Sequence, residues 1–239
     1  MPLPKISTPT YELELPSTGK TIKFRPFLVK EEKLLVLALE SDDTKEITNA
    51  IKAVLKDCIQ TRGIKVETLP TFDIEYLFLN IRGKSVGEDI EVSVLCPDDG
   101  DTYAEVQINI DDIKVVKDKD HTNKIKIDDT LMMEMRYPSL EQFVKNNFDF
   151  NDENQVDQSF DLIASCVDKV YNEDEAWTSE DFSKKEITDF LGQMNSAQFK
   201  QIESFFTSMP KLSHEVEVVN PKTKKKGKVV LEGLSSFFA

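Results

Sequence analysis

The spacing of apolar residues in this chain alternates between the helical period and the strand period, in a similar order twice. The stretch SAQFKQIESFFTSMP carries apolar residues every three to four positions, which predicts one buried helical face. In the following HEVEVVNPKTKKKGKVVLEGL, apolar and polar residues alternate on either side of Asn220-Pro221, which predicts a β-hairpin. An earlier stretch has the same order, with a helix in FDIEYLFLNIRGKS and a hairpin in IEVSVLCPDDGDTYAEVQINI.

The segments before these two helix–hairpin pairs also correspond in order. The first starts with the predicted hairpin YELELPSTGKTIKFR, followed by Pro26, a helix in VKEEKLLVLALE and a longer helix that contains Cys58. The second starts with the hairpin KIKIDDTLMMEMRY, followed by Pro138, a helix in SLEQFVKN and the helix NQVDQSFDLIASCVDKVY, which contains Cys166. A further helix, KKEITDFLGQM, precedes the final pair.

Three local details make these predictions specific. Asp43 with Glu46, and Ser183 with Glu186, have the spacing of a capping box at a helix N-terminus. In VKEEKLLVLALE, the three-to-four-residue spacing places Leu34, Leu37 and Ala38 on the buried face.

The predicted fold class is α+β, built from two similar halves that each contain a hairpin, a set of helices and a second hairpin. The predicted bounds are an extended N-terminal arm at 1–10, a first half at 11–113, a charged linker at 114–123 and a second half at 124–239. An internal duplication explains the shared order. The alternative is chance, because hairpins and helices are common and residue identity between the halves is low.

Composition narrows the range of functions. The chain has 239 residues, enough for a sizeable core, and a net charge of −14, which disfavours binding to nucleic acid or to an anionic membrane. No apolar run approaches the ~20 residues of a membrane span, and the N-terminus lacks the apolar core of a signal peptide. Three widely spaced cysteines favour a reducing compartment without disulfides.

No catalytic, cofactor-binding or metal-binding residue is predicted. Neither His121 nor His214 has a cysteine, serine or patterned carboxylate placed to make a catalytic dyad, so both are interpreted as surface residues. Cys96 lies at a hairpin tip, where a zinc knuckle would need a second cysteine two to four residues on, and that residue is missing. Cys58 and Cys166 are interpreted as core residues.

Two groups of residues are candidates for contacts with a partner. The basic run that includes Lys224, Lys225 and Lys226 either docks on an acidic surface or is a solvated turn. Two aromatic pairs either close the core or form an exposed anchor. These are Phe205 with Phe206, and Phe237 with Phe238.

Three segments of the chain resemble a known family. YELELPSTGKTIKFRPFLVKEEKLLVLALES, FDIEYLFLNIRGKSVGE, and QFKQIESFFTSMPKL with the closing VVLEGLSSFF are similar to the baseplate hub proteins of T-even-type contractile-tailed bacteriophages. The resemblance covers nearly the whole chain, but these segments are not catalytic motifs and transfer no active-site residue. Members of the family carry cysteine pairs at hairpin tips, and here only Cys96-Pro97 is left, which further disfavours a metal-stabilised hairpin.

The resemblance implies a non-enzymatic component of the tail baseplate hub that acts by protein–protein association during tail assembly. Its partners would be other hub proteins, with no small-molecule substrate, nucleic acid or membrane, and a homo-oligomer is left open. It would be found in the host cytoplasm during assembly and, if retained, in the tail baseplate of the virion. The alternative is an assembly chaperone that leaves the hub, and a hub-associated hydrolase is the weakest interpretation.

Overall fold

A computed structural model describes residues 6–41, 43–141, 144 and 155–237. Its contacts divide the chain into two compact units. The described residues of the first unit fall within 1–116, 139–149 and 211–239, and those of the second fall within 117–138 and 150–210. The units therefore have different bounds from the predicted halves, because the final hairpin belongs to the first unit. The internal duplication stays a prediction, while the α+β class is confirmed.

Every sheet in the described residues is antiparallel. The first unit contains the hairpins β1–β2 and β3–β4 and a three-stranded sheet in the order β11-β10-β5. The second unit contains a four-stranded sheet in the order β6-β7-β8-β9. The strands are β1 (Tyr11–Glu14), β2 (Thr21–Phe24), β3 (Asp89–Leu95), β4 (Tyr103–Asn109), β5 (Lys114–Val116), β6 (Lys124–Lys126), β7 (Met132–Met135), β8 (Val167–Tyr171), β9 (Ala176–Thr178), β10 (Lys211–Val219) and β11 (Lys226–Glu232).

Two helices begin at the caps that the sequence predicts. The Asp43 side chain accepts hydrogen bonds from the N–H groups of Lys45 and Glu46, and Ser183 forms the predicted capping box with Glu186. The helices are α1 (Val29–Glu40), α2 (Thr44–Cys58) and α3 (Thr71–Val86) in the first unit, and α4 (Gln155–Cys166), α5 (Lys184–Leu191) and α6 (Ser196–Ser208) in the second. Within the described residues, no helix is long and apolar enough to cross a bilayer.

Two sequence predictions about elements were wrong. The helix predicted to run to Tyr171 ends at Cys166, and the chain continues as β8. The reason is long-range pairing, because the β-branched Val167 and Val170 lie opposite Met135 and Met133 of β7. The acidic segment NEDEAWTSED at 172–181, whose composition predicts irregular structure, contains β9.

One further segment differs from its prediction, and another cannot be compared with it. Lys114–Val116, within the predicted linker, pairs with β10 as strand β5. The predicted helix over 139–146 lies largely outside the described residues, as does Phe238.

Each unit has its own apolar core. In the first, the hairpins and the three-stranded sheet pack with α2 and α3, and α3 is buried on most of its sides, including Ile74, Leu77 and Ile81. Asp73 of α3 is fully buried and accepts hydrogen bonds from the N–H and hydroxyl of Ser17 in the β1–β2 turn. In the second, the inner face of the β6–β9 sheet packs against α4, α5 and α6.

Candidate interaction surfaces

Helix α1 presents apolar side chains to solvent. Its sequence VKEEKLLVLALE is apolar on nearly every side, and the structure turns Glu31 and Ala38 inward. Leu37 is 53% exposed and Val29 is 79% exposed, so the prediction that Leu34 and Leu37 face the core was wrong. The cause is Glu31, whose burial requires a partner charge and therefore fixes the rotation of the helix.

Arg25 is the partner that holds Glu31 inside. Arg25 Nη2 lies 2.9 Å from Glu31 Oε1, and the N–H of Leu28 donates to Glu31 Oε2 at 2.7 Å. Burial raises the pKa of Glu31, but the hydrogen bonds from Arg25, Leu28 and Lys30 outweigh it and lower this pKa to about 2. Glu31 is therefore a buried carboxylate that stays ionised at neutral pH.

A groove runs beside α1 within the first unit. It has a volume of about 530 Å³ and lies between the inner flank of α1 and the side chains of α2 and α3. Its apolar lining includes Phe27, Leu35, Leu39, Phe78 and Val86. Together, the groove and the outer side of α1 form an exposed apolar region of this unit.

The tips of two hairpins in the first unit are joined by polar contacts. Asn220 Nδ2 donates to Asp98 Oδ1 at 2.9 Å and to Asp99 Oδ2 at 2.8 Å, and the Thr223 hydroxyl donates to Asp98 at 2.5 Å. The hydrogen bond from Thr223, and then that from Asn220, lowers the pKa of Asp98. The pKa of Asp99 is lowered too, first by the Thr102 hydroxyl and then by Asn220. Both carboxylates are therefore charged acceptors that tie the two turns together.

Apolar contact supports the same junction. A Cβ atom at Gly227 would lie 2.6 Å from Cγ of Pro97, so only glycine lets the two turns approach this closely. Cys96 is buried beside them, and burial raises the pKa of its thiol. Within the described residues, no group of histidine, cysteine and acidic side chains has the arrangement of a metal site.

The predicted basic run therefore lies next to an acidic turn of its own unit. Lys222 Nζ is 3.8 Å from Asp101, a weak exposed contact. Lys224, Lys225 and Lys226 are exposed and form no ion pair with any other described residue. These three lysines remain available to a partner, and their predicted role in interaction stays a prediction.

The predicted aromatic residues lie in the cores to different degrees. Phe205 is 2% exposed in the second unit and Phe237 is 1% exposed in the first. Phe206 is half-buried and meets the ring of Phe205 edge-on, with centroids 5.1 Å apart. Of these three side chains, only that of Phe206 leaves part of its surface accessible to a partner protein.

His121 is half-buried and hydrogen-bonded, contrary to the predicted surface position. Its Nδ1 lies 2.9 Å from the Ser208 hydroxyl and its Nε2 lies 2.9 Å from the Tyr137 hydroxyl. The Ser208 hydroxyl also lies 2.7 Å from the carbonyl of Ser204, one turn earlier in α6. The His121 ring is thus held between the hydroxyls of Ser208 and Tyr137.

An apolar groove in the second unit was missed by the sequence analysis. Trp177, on the outer strand β9, is 39% exposed and borders a groove of about 390 Å³. Its apolar lining also includes Leu131, Val170, Phe182, Ile187 and Phe190, and its rim carries the carboxylates of Asp181 and Glu186. A signal was present, since the chain's one tryptophan lies within a strongly acidic segment.

The outer edge of β9 is blocked against pairing with another strand. Asp181 Oδ2 accepts the N–H of Thr178 at 2.8 Å and its hydroxyl at 2.7 Å, and the N–H of Asp181 donates back to the carbonyl of Thr178. These contacts occupy the N–H and carbonyl of Thr178, which an added strand would otherwise use at this end of β9. The groove therefore suits a side-chain anchor better than an added strand.

Comparisons with known proteins agree over almost the full length of the chain. The family model described as "T4 bacteriophage base plate protein" matches residues 8–239. The "Baseplate hub assembly protein gp26" of Enterobacteria phage T4 is 23% identical over 230 residues, which cover 95% of this chain and 97% of that protein. No solved structure matches this chain.

Proposed function

This chain belongs to the T4 bacteriophage base plate protein family, and we propose that it acts without catalysis, by association with other baseplate hub proteins during tail assembly. Membership of the family, together with the similarity to a hub assembly protein, supports a structural role in the phage baseplate. The proposal adds the mode of action and the surface that carries it. Assembly of this kind would take place in the host cytoplasm, before the tail is complete.

The observation that carries the proposal is the groove beside Trp177. Tryptophan side chains at the centre of apolar pockets contribute disproportionately to protein–protein affinity. Here the ring is partly exposed on a blocked edge strand, next to a lining of aromatic and aliphatic side chains. This arrangement fits an apolar side chain of a partner inserted between Trp177, Phe182 and Phe190.

The charge around the groove defines the chemistry of that partner. The segment 172–181 carries exposed carboxylates on both sides of Trp177 and no lysine or arginine. These carboxylates are Glu173, Asp174, Glu175, Glu180 and Asp181. The proposed occupant is therefore a segment with an apolar anchor flanked by lysine or arginine, since complementary charge speeds encounter and disfavours wrong partners.

The predicted interaction residues have a secondary place in this proposal. Lys224, Lys225 and Lys226 form a second exposed patch, of opposite sign, in the other unit. They suit an acidic surface of a different hub protein. Phe206, in the second unit, is a separate candidate because its ring is only half-buried.

Two other functions receive less support. A hydrolase would need an activated nucleophile, and neither the family match nor the similarity to a hub assembly protein points to one. A chaperone that leaves the hub would use the same surfaces, and nothing in the fold or the comparisons favours it over a structural component. Quantitative mass spectrometry of purified virions against infected-cell lysate separates these two, because only a structural component is stoichiometric in virions.

The test is co-purification of the tagged full chain with the other hub proteins, each identified by mass spectrometry. Trp177→Ala should reduce recovery of one hub protein at least tenfold, and high salt should weaken the same contact because the groove rim is charged. The matched control is Tyr103→Ala, which removes another aromatic side chain, on β4, that is more exposed than Trp177. Unchanged recovery with a correctly folded Trp177→Ala variant would contradict the proposed surface.

A further inference from the structure

Five residues of α1 form a narrow outward stripe that neither core explains. With about 3.6 residues per turn, Val29, Lys33, Val36, Leu37 and Glu40 project to one side, opposite the buried Glu31 and Ala38. All five are exposed. We name these five residues the α1 stripe.

The composition of the α1 stripe is unusual for a surface that faces only water. Its centre is aliphatic, with Val36 at 49% and Leu37 at 53% exposure. Leu34 and Leu39 extend this apolar surface on the two flanks. Apolar patches that stay exposed on a monomer are normally small, and each Å² covered contributes about 25 cal/mol. A partner that covers the stripe is therefore expected.

The charges of the α1 stripe identify the partner. Lys33 and Glu40 are seven positions apart, so they lie about two turns apart on the same line, with Val36 and Leu37 between them. Neither forms an ion pair with any other residue that the structure describes. The stripe thus has a positive end, an aliphatic centre and a negative end.

Two such stripes, one from each of two copies, are complementary to each other when they run in opposite directions. A two-fold axis at the midpoint of Val36 and Leu37 places Lys33 of one copy opposite Glu40 of the other, and the converse on the far side of the axis. The same axis brings Val36 of each copy against Leu37 of the other. Helix dipoles are also antiparallel in this arrangement, which is favourable. Isologous interfaces require this reversal symmetry of charge, whereas an unrelated partner does not.

We propose that two copies of this chain associate through antiparallel contact of their α1 stripes about this two-fold axis. The contact lies in the first unit and does not use the Trp177 groove. It therefore goes beyond the proposed hub association and does not depend on it. A preformed pair would present every other docking surface twice, so that each hub partner could be bound by both copies.

The experiment is sedimentation equilibrium of the full chain over a wide concentration range. The unchanged chain should dimerise, and Leu37→Lys should abolish the dimer by placing a charge at the centre of the contact. The matched control, Leu95→Lys, alters a similarly exposed leucine on β3 and should leave the dimer intact. Circular dichroism verifies that both variants are folded.

Charge exchange tests the register. Lys33→Glu and Glu40→Lys should each weaken the dimer about tenfold, because each creates two like-charge contacts. The double variant should return to the original affinity, and an equimolar mixture of the two single variants should form a heterodimer. A chain that stays monomeric at every concentration, a dimer that tolerates Leu37→Lys, or a double variant without recovery would overturn the proposal. Hub co-purification is measured separately, so either proposal can fail alone.

Discussion

Two junctions of this chain share a backbone contact and differ in their side chains. In the first unit, the N–H of Arg25, just after β2, donates to the carbonyl of Cys58 at 2.9 Å. In the second unit, the N–H of Arg136, just after β7, donates to the carbonyl of Cys166 at 2.7 Å. In both, a cysteine-ended helix returns the chain to the second strand of a hairpin, through the bridge Phe24–Ile59 or the strand β8.

The side chains of the two arginines have different hydrogen-bond partners. The Arg25 guanidinium turns inward to Glu31, whereas that of Arg136 remains exposed and donates from Nε to the carbonyl of Ser165 at 2.9 Å. The buried pair in turn fixes the rotation of α1 and places Leu37 outside. The comparison teaches that one backbone connection can carry a structural ion pair in one place and a surface hydrogen bond in another. The common contact also supports the predicted duplication without establishing it.

The largest expected effect comes from breaking the buried pair. Glu31→Ala should destabilise the first unit by about 3 kcal/mol, because it leaves the half-buried Arg25 guanidinium without its ionic partner. Chemical denaturation measures the loss, and hydrogen exchange of the α1 and α2 amides places it in the first unit. The double variant Arg25→Met with Glu31→Leu is the control and should recover much of this stability, since an apolar pair of similar volume carries no desolvation cost. A single variant as stable as the original chain would show that the pair does not hold the junction.

The next largest effect is expected from acid, which should lower the stability of the junction that contains Glu31. The folded-state pKa of Glu31, about 2, lies below its ordinary value of 4.5, so its contribution is present above pH 4.5 and is lost as the pH falls towards 2. We expect the free energy of unfolding to decline across this window, as measured by denaturant titrations at several pH values. In Glu31→Gln this part of the decline should disappear. If the slope is unchanged in that variant, other carboxylates cause the acid sensitivity.

The sequence was sufficient for features that depend on neighbouring residues. The cap at Asp43, the capping box at Ser183 and the helical faces around Cys58 and Cys166 all follow from spacing within one turn or one helix. The hairpins follow from alternation and turn residues in the same way. These signals are local, and the structure agrees with them.

The features that the sequence analysis missed depend on distant partners. Apolar spacing alone turned α1 the wrong way, because it counted Leu37 as core and gave no weight to a buried Glu31. The contact between Asn220 and Asp98 joins residues 122 positions apart, so no local pattern reveals it. For the interaction surfaces, charge runs were visible, but whether Trp177 is exposed depends on the packing of α5 and β8 around it.

Removal of the surface arginine should have a smaller effect than removal of the buried pair. Arg136→Met loses one hydrogen bond to the carbonyl of Ser165 and a longer contact of 3.4 Å with Ser179. Because these groups remain accessible to water, the expected cost is about 0.5–1 kcal/mol. Fluorescence of Trp177, the one tryptophan, reports unfolding of the second unit directly. A loss as large as that of Glu31→Ala would show that the two junctions are energetically alike.

The smallest expected effect is a second pH response, next to the Arg136 junction. Burial, and then the charge of Lys117, lowers the pKa of His121 below its ordinary value, so the unfolded chain takes up a proton more readily than the folded chain. The contribution of His121 is therefore complete above about pH 6.5 and declines as the pH falls below it. A protonated ring would donate from both nitrogens, so the Ser208 and Tyr137 hydroxyls would then both have to accept.

Trp177 fluorescence in denaturant, at pH values on either side of this point, measures that decline for the second unit alone. His121→Gln cannot titrate, and its stability should be flat across the same range, while its hydrogen-bonding groups can still reach Ser208 and Tyr137. At the junction of the first unit the corresponding titrating group is Glu31, which responds at a much lower pH. If the stability of both units changed in both pH ranges, that of Glu31 and that of His121, the two junctions would be coupled. The contrast between them would then not be local.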